Sequence, residues 1–195
     1  GGKRTPPAAG VGVVGVLEGD KRAEMGFRRP GEVLLLIGEE RGELGASEVL
    51  YLLTGKEFGH PPRLDLGREK AVQEAIRDLI QRGLTRTAHD VAEGGLLLAL
   101  AEMTFPYGVG ATVEVREEGL EALFGEAPSR VLFTVEKTRL QEATLLLEER
   151  GLPYRVLGET GGKSLTVLTP GGVLEWSLEE LLSAWKAPLR EVLDG

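Results

Sequence analysis

The chain has 195 residues, a formal net charge of −8 and 42% hydrophobic residues, a composition typical of one globular domain with a substantial core. The acidic charge argues against general nucleic-acid binding, and no apolar run approaches the roughly 20 residues needed to span a bilayer. The absence of cysteine excludes disulfides and thiolate metal sites and fits a cytoplasmic protein, and two histidines disfavour a zinc site.

The first part of the chain is predicted to contain a linker and two strands. Residues 1–10 are rich in proline, glycine and alanine, which predicts a linker, so that 11–195 would form one domain of a longer protein. A processed start or a tag remnant are the alternatives. Residues 12–18 predict a strand, and the apolar run 32–37 predicts a central strand. The basic segment between them favours a solvated loop over an anion pocket lined by Lys21, Arg22, Arg28 and Arg29.

Two helices are expected next. Ser47 is a typical N-cap for an apolar helix that continues through Leu53 and ends at Gly55. Residues 67–82 have the apolar spacing of an amphipathic helix. Residues 84–88 then predict a short strand.

The most informative segment follows this strand, where Asp90 and Glu93 have the spacing of a helix N-cap and its capping box. Gly94 and Gly95 would then lie in the first turns of the helix, where each costs about 1 kcal/mol relative to alanine. Two explanations stay open: a phosphate or carboxylate approaches the free N–H groups, or the helix start packs closely against a strand. In the first case an anion should bind at the helix N-terminus, where His89 would add a donor.

The second half alternates strands and helices. Residues 158–164 resemble a phosphate loop, but Leu157 stands where a Walker motif needs glycine and a strand follows, so we predict a hairpin turn. Glu126 and Arg130 favour a pair that braces a loop over substrate contact. The other predicted elements are strands at 110–115, 131–135, 154–158 and 164–168, helices at 117–124 and 138–150, and a last helix containing Trp185 that begins with a capping box of Ser177 and Glu180. These patterns predict a layered α/β domain with a mixed sheet flanked by helices.

Several motifs resemble one enzyme family. Residues 89–96, His-Asp-Val-Ala-Glu-Gly-Gly-Leu, are similar to the His-Asp-x-Ser/Ala-Asp/Glu-Gly-Gly-Leu motif of phosphoribosylformylglycinamidine synthases, in the aminoimidazole ribonucleotide synthetase-like superfamily. Residues 12–18 and 124–130 also resemble segments of that family. Residues 45–49 resemble its Gly-Gly-Ser-Glu-Tyr motif, with Ala46 and Val49 as departures. The resemblance extends over nearly the whole chain.

The resemblance implies the α+β C-terminal domain of this superfamily. Within the family, it implies that 11–195 form the C-terminal domain of the second half of the large, or synthetase, subunit. That ligase would convert formylglycinamide ribonucleotide, ATP and glutamine-derived ammonia to the amidine in purine biosynthesis. We expect ATP and Mg²⁺ to be bound largely by the companion N-terminal domain, so that this chain alone is inactive.

The resemblance also implies a cleft that this domain closes. The residues expected to bind substrate or phosphate there are His89, Asp90, Gly94, Gly95, Ser47 and Glu48. No catalytic residue and no metal ligand is predicted in this chain. The expected partners are the N-terminal domains of the same polypeptide, a glutaminase subunit and a small bridging subunit, with neither nucleic acid nor membrane among them.

Two alternatives stay open. The domain could belong to a non-catalytic half of the enzyme and act as a scaffold for domain pairing. The departures at Ala46 and Val49 favour this alternative, whereas the intact His89-Asp90 pair disfavours it. It could also be the C-terminal domain of another ATP-using member of the superfamily.

The composition predicts unusual heat stability, as in proteins of thermophiles. The chain has no cysteine or asparagine and two methionines, and glutamate and arginine dominate its charged residues. We expect calorimetry of the purified chain to give a thermal midpoint above the mesophile range of roughly 45–65 °C. A midpoint within that range would contradict the prediction and leave codon bias as the origin of the composition.

Overall fold

The computed structural model describes residues 10–17, 19–56 and 58–194, with side chains through residue 188. In the described part of the chain, no helix is long and apolar enough to cross a membrane. The elements in chain order are β1 (Glu32–Ile37), α1 (Glu48–Thr54), α2 (Leu66–Gln81), β2 (Ala88–Asp90), α3 (Gly95–Thr104), β3 (Ala111–Glu114), α4 (Leu120–Phe124), β4 (Val131–Glu136), a 3-10 turn (Lys137–Arg139), α5 (Leu140–Glu149), β5 (Tyr154–Thr160), β6 (Ser164–Thr169), β7 (Gly172–Ser177) and α6 (Leu178–Asp194).

The seven strands form one mixed sheet in the order β2-β4-β1-β5-β3-β6-β7. Neighbouring strands are antiparallel except β3 and β6, which run parallel. The alternating side chains of β1 enter two cores. Leu34 and Leu36 belong to the core beneath α3, whereas Val33, Leu35 and Ile37 belong to the core beneath α2 and α5. Because both faces of the sheet are covered here, β1 is apolar from Val33 to Ile37, and the prediction of a central strand in a layered α+β domain is confirmed.

The connection between β5 and β6 differs from the predicted hairpin. These strands are consecutive in the chain, but β3 lies between them in the sheet. The Gly161 N–H donates to the Gly110 carbonyl at 2.7 Å, and the Gly110 N–H donates to the Gly162 carbonyl at 3.1 Å. These bonds join the start of β3 to the turn and separate the two strands. The turn leads into a strand and not a helix, in agreement with the exclusion of a Walker phosphate loop.

One predicted strand near the beginning is wrong, and a second, before the central motif, is displaced. Residues 12–17 form no strand and are exposed, and residue 18 lies outside the described residues. Val14, for example, is fully exposed. A strand needs a partner for its backbone groups, and the described residues offer none to this segment. The predicted strand at 84–88 is displaced to β2, because the Thr85 hydroxyl donates to the Thr87 carbonyl at 2.8 Å and forms a local turn.

Helix ends follow the predicted capping chemistry in two places. The Ser47 hydroxyl accepts a hydrogen bond from the Leu50 N–H at 3.3 Å at the start of α1. The predicted capping box at the start of α6 is present, because the Ser177 N–H donates to the Glu180 carboxylate at 2.8 Å and the Glu180 N–H donates to the Ser177 hydroxyl at 3.2 Å. The Ser177 hydroxyl also donates to the Glu180 carboxylate at 2.7 Å, and this hydrogen bond, together with the one from the Ser177 N–H, holds the pKa of the Glu180 carboxyl below its usual value.

Candidate functional site

The helix start at the central motif differs from the predicted capping box. Asp90 is the last residue of β2 and pairs with Val131, so it is extended and does not cap a helix. The helix α3 begins at Gly95 instead of near Glu93, with Gly94 as its N-cap in a left-handed conformation, φ 77°. The predicted N-cap role of Asp90 is therefore wrong, because strand pairing continues through this residue and the chain turns only afterwards.

Close packing is sufficient to explain the two glycines. Gly95 has φ 70°, and a Cβ atom there would lie 2.5 Å from the Phe124 carbonyl carbon at the end of α4. A Cβ atom on Gly94 would overlap the side chain of Leu98. The structure thus supports the packing explanation, with the end of α4 in place of the expected strand. Close approach of a ligand stays a prediction.

One carboxylate joins the starts of two helices. Glu126 Oε1 accepts hydrogen bonds from the Gly94 N–H at 2.9 Å and from the Glu48 N–H at 3.1 Å. A carboxylate at a helix N-terminus is favourable because it satisfies unpaired N–H donors and faces the positive end of the helix dipole. Glu126 therefore brings together Glu48 and Gly94 of the predicted set, and Gly95 follows directly in the chain.

Arg130 acts on the neighbouring loops through backbone carbonyls. Its guanidinium donates to the carbonyls of Glu39 at 2.9 Å, Gly125 at 2.8 Å and Glu40 at 2.6 Å. The side chain is buried, and burial lowers the pKa of the guanidinium to about 10, so it stays protonated at neutral pH. Glu126 and Arg130 thus each brace a loop, as predicted, but by separate contacts and not as an ion pair within the described residues.

His89 lies between two carboxylates. Its Nδ1 atom is 3.4 Å from Asp90 Oδ1, and its Nε2 atom is 3.2 Å from Glu102 Oε2 on α3. The Nε2 atom is shielded from solvent and makes no directed hydrogen bond to Glu102 or to another described residue. Sequence analysis missed Glu102. The sequence signal that could have indicated Glu102 is its position seven residues after Gly95. This spacing is about two helical turns, so both residues lie on the same face of α3.

Two adjacent depressions surround these residues. A groove of about 490 Å³ is lined by His89, Asp90, Glu102 and apolar neighbours. A cavity of about 570 Å³ shares Asp90 with that groove and is lined also by Glu69, Glu93, Glu126, Pro62, Leu64 and the buried Arg130. The cavity is therefore rich in carboxylates. Over the described ranges, no cluster of three or more histidine and carboxylate side chains is arranged to bind a metal ion.

Ser47 lies apart from these depressions. Its side chain is buried, and its hydroxyl donates to the Leu44 carbonyl at 2.6 Å while it caps α1. The preceding Ala46 has φ 57°, a left-handed conformation that glycine adopts at lower cost. Glycine, which the resembling family motif has at this position, would adopt this backbone with less strain.

Alanine substitution should separate steric packing from backbone conformation. Gly95→Ala should lower the free energy of unfolding by about 2 kcal/mol more than Gly83→Ala, since both positions have the same left-handed backbone but only Gly95 faces another backbone segment. Gly83 has φ 67° and open space around its Cα atom. Urea unfolding of both variants measures the difference, and equal losses would contradict the packing explanation.

Comparisons with known proteins agree with this architecture. A family model described as AIR synthase related protein, C-terminal domain, matches residues 29–169. Phosphoribosylformylglycinamidine synthase subunit PurL from Thermus thermophilus is 98% identical over 195 residues, which are 100% of this chain and 27% of that relative's length.

Solved structures show the same fold. T. maritima PurL complexed with FGAR superimposes with a TM-score of 0.73 at 20% identity, covering 83% of this chain and 29% of that one. T. maritima PurL complexed with ATP gives a TM-score of 0.65 at 19% identity, covering 82% and 27%. Since the family model matches well over half of this chain, the chain belongs to the family of AIR synthase related proteins and corresponds to their C-terminal domain.

Proposed function

We propose that this chain is a domain of an ATP-dependent phosphoribosylformylglycinamidine synthase, a ligase that converts formylglycinamide ribonucleotide and ammonia to the amidine in purine biosynthesis. The observation that carries the proposal is the 98% identity to the Thermus thermophilus subunit over the whole chain. The chain spans about a quarter of that relative, so the reaction would belong to the longer polypeptide. A linker at 1–10, a C-terminal domain at 11–195, a cytoplasmic location, and assembly with glutaminase and bridging subunits are further parts of the proposal.

The role proposed for this domain is to close a cleft whose nucleotide is bound elsewhere. Four carboxylates line the larger cavity, from Glu69, Asp90, Glu93 and Glu126. Glu126 also occupies the N–H groups that would otherwise bind a phosphate. These residues do not fit a directly bound triphosphate, because like charges repel. We therefore derive no step of phosphoryl transfer from this chain, and we assign ATP and Mg²⁺ to the companion N-terminal domain.

His89 and Asp90 are the best candidates for contact with substrate. They lie at the end of β2, where the groove and the cavity meet. Their imidazole and carboxylate suit hydrogen bonds to hydroxyl and amide groups of a substrate better than contacts to its phosphate. Gly94, Gly95, Ser47 and Glu48 would act less directly, by shaping the loops on which these side chains depend.

A scaffold in a non-catalytic half is the second candidate function. Glu126 favours it, because the chain's own carboxylate satisfies the donors that a ligand would need. In this alternative the domain pairs with other domains and binds no substrate, and the paired starts of α1 and α3 serve only to hold the fold.

Replacement of the matching segment of full-length Thermus thermophilus PurL by this sequence tests the first proposal. We expect the chimera to keep ADP release that depends on formylglycinamide ribonucleotide and ammonia, at a rate close to that of the parent. The isolated chain should release none, because phosphoryl transfer needs metal-binding acids and a phosphate-binding loop that sequence analysis does not find here. A folded but inactive chimera, or turnover by the isolated chain, would contradict the proposal.

The two histidines separate the cleft role from the scaffold role. His89→Ala in the full-length chimera should lower kcat/KM for formylglycinamide ribonucleotide by about tenfold or more, since loss of a substrate-positioning group misplaces the reacting atoms. His60→Ala is the matched control, because His60 is exposed on a loop outside both depressions. Equal kinetics for the two variants, with unchanged thermal stability, would support the scaffold role instead.

A further inference from the structure

The helix α1 exposes an apolar surface that the described residues leave uncovered. None of its seven residues is buried, although the sequence from Glu48 to Thr54 is mostly apolar. Leu52 is 79% exposed, Leu53 65% and Tyr51 46%. A helix of this length is too short to be stable by itself in water, so its stability must come from contacts. Among the described residues, hydrogen bonds to Ser47 and Glu126 attach its first turn to the rest of the domain.

Further exposed apolar side chains lie on the loop that follows α1. The loop folds back on the helix start, because the Ala46 N–H donates to the Phe58 carbonyl at 2.9 Å. Phe58, Leu64 and Leu66 on this loop and at the start of α2 are all more than half exposed. The apolar surface formed by Tyr51, Leu52, Leu53, Phe58, Leu64 and Leu66 is called here the α1 face.

The α1 face borders the acidic cavity. Leu64 belongs to both, and Glu126 joins the start of α1 to the cavity wall. A large exposed apolar patch with a charged rim is typical of a protein interface. On the side of the cavity this rim carries carboxylates, Glu69 and Glu93 among them, whereas the loop itself carries the exposed Lys56 and Arg63. A covering surface should therefore be apolar at its centre and carry lysine or arginine opposite the cavity.

This charge pattern selects between two occupants. A second copy of the chain, with a net charge of −8, would place one carboxylate-rich rim against another. The longer polypeptide offers a different source, since about three quarters of the Thermus thermophilus relative lies outside the matched residues. We propose that the α1 face is the docking surface for another domain of that longer polypeptide, which packs on Leu52 and Leu53 and presents basic side chains to the acidic cavity.

The proposal rests on the proposed function only in taking the chain as part of a longer synthase. It requires no ligand and no turnover. Because these 195 residues contain no cysteine, single cysteines can report the accessibility of chosen positions.

Thiol labelling of the full-length chimera, followed site by site by mass spectrometry of the labelled peptides, tests the docking surface. The probe is Leu52→Cys, and Lys70→Cys is the matched control, because the Lys70 side chain on α2 is 76% exposed and charged. Each labelling rate is divided by the rate of the same cysteine in the denatured protein. We expect this ratio to be about tenfold or more lower for Leu52→Cys than for Lys70→Cys, since a docked domain must open before the thiol reacts.

Equal ratios for the two cysteines would overturn the proposal. Protection of Leu52→Cys that disappears on dilution would also overturn it, because a second copy would then be the occupant. Hydrogen exchange of the unsubstituted full-length protein gives the same test without a mutation, with slow exchange expected at the amides of 50–54 and fast exchange contradicting the docking. An inactive chimera that still protects Leu52→Cys would contradict the proposed function while supporting the docking surface.

Discussion

One carboxylate oxygen, Glu126 Oε1, accepts hydrogen bonds from the N-terminal ends of α1 and α3 and thereby sets the geometry of the candidate site. Each helix start has unpaired N–H groups, and a shared carboxylate satisfies one from each. Without the Glu126 carboxylate, the N-terminal ends of α1 and α3 would lose the acceptor that they share. The short helix α1 has no fully buried residue, so this hydrogen bond is one of the contacts that fix its position.

Arg130 supports the same segment from the buried side. Three carbonyls compensate the desolvation of its guanidinium, and they come from the loop after β1 and from the residue after α4. The segment 125–130 is therefore held near one end by the Glu126 carboxylate, which accepts hydrogen bonds from N–H groups. At the other end it is held by the Arg130 guanidinium, which donates to carbonyls. This double attachment lets a loop without regular structure form a wall of the acidic cavity.

The central glycines illustrate how packing and function can share one motif. The left-handed backbone of Gly94 and Gly95 and the proximity of Phe124 require glycine for structural reasons alone. The consequence is nevertheless local to the candidate site, because the turn places Asp90 at the edge of the cavity and directs α3 so that Glu102 reaches His89. Glycines that steric packing requires thus also determine where the neighbouring polar side chains of His89, Asp90 and Glu102 lie.

The sequence by itself determined the elements whose signals are local. The apolar run of β1 indicated burial on both faces, the Ser47 cap and the Ser177–Glu180 capping box marked helix starts, and the alternation of strands and helices indicated a layered mixed sheet. Each of these patterns spans only a few residues, over which side-chain period and capping chemistry act directly.

Only the tertiary structure decided which distant segments meet. It inserted β3 between β5 and β6, left 12–17 without a strand partner, and ended β2 at Asp90 so that α3 begins later than predicted. It also chose the partners of Glu126, which are 78 and 32 residues away in the chain. Contacts of this kind follow from the packing of whole layers, and no local pattern around Glu126 specifies which backbone N–H groups will reach its carboxylate.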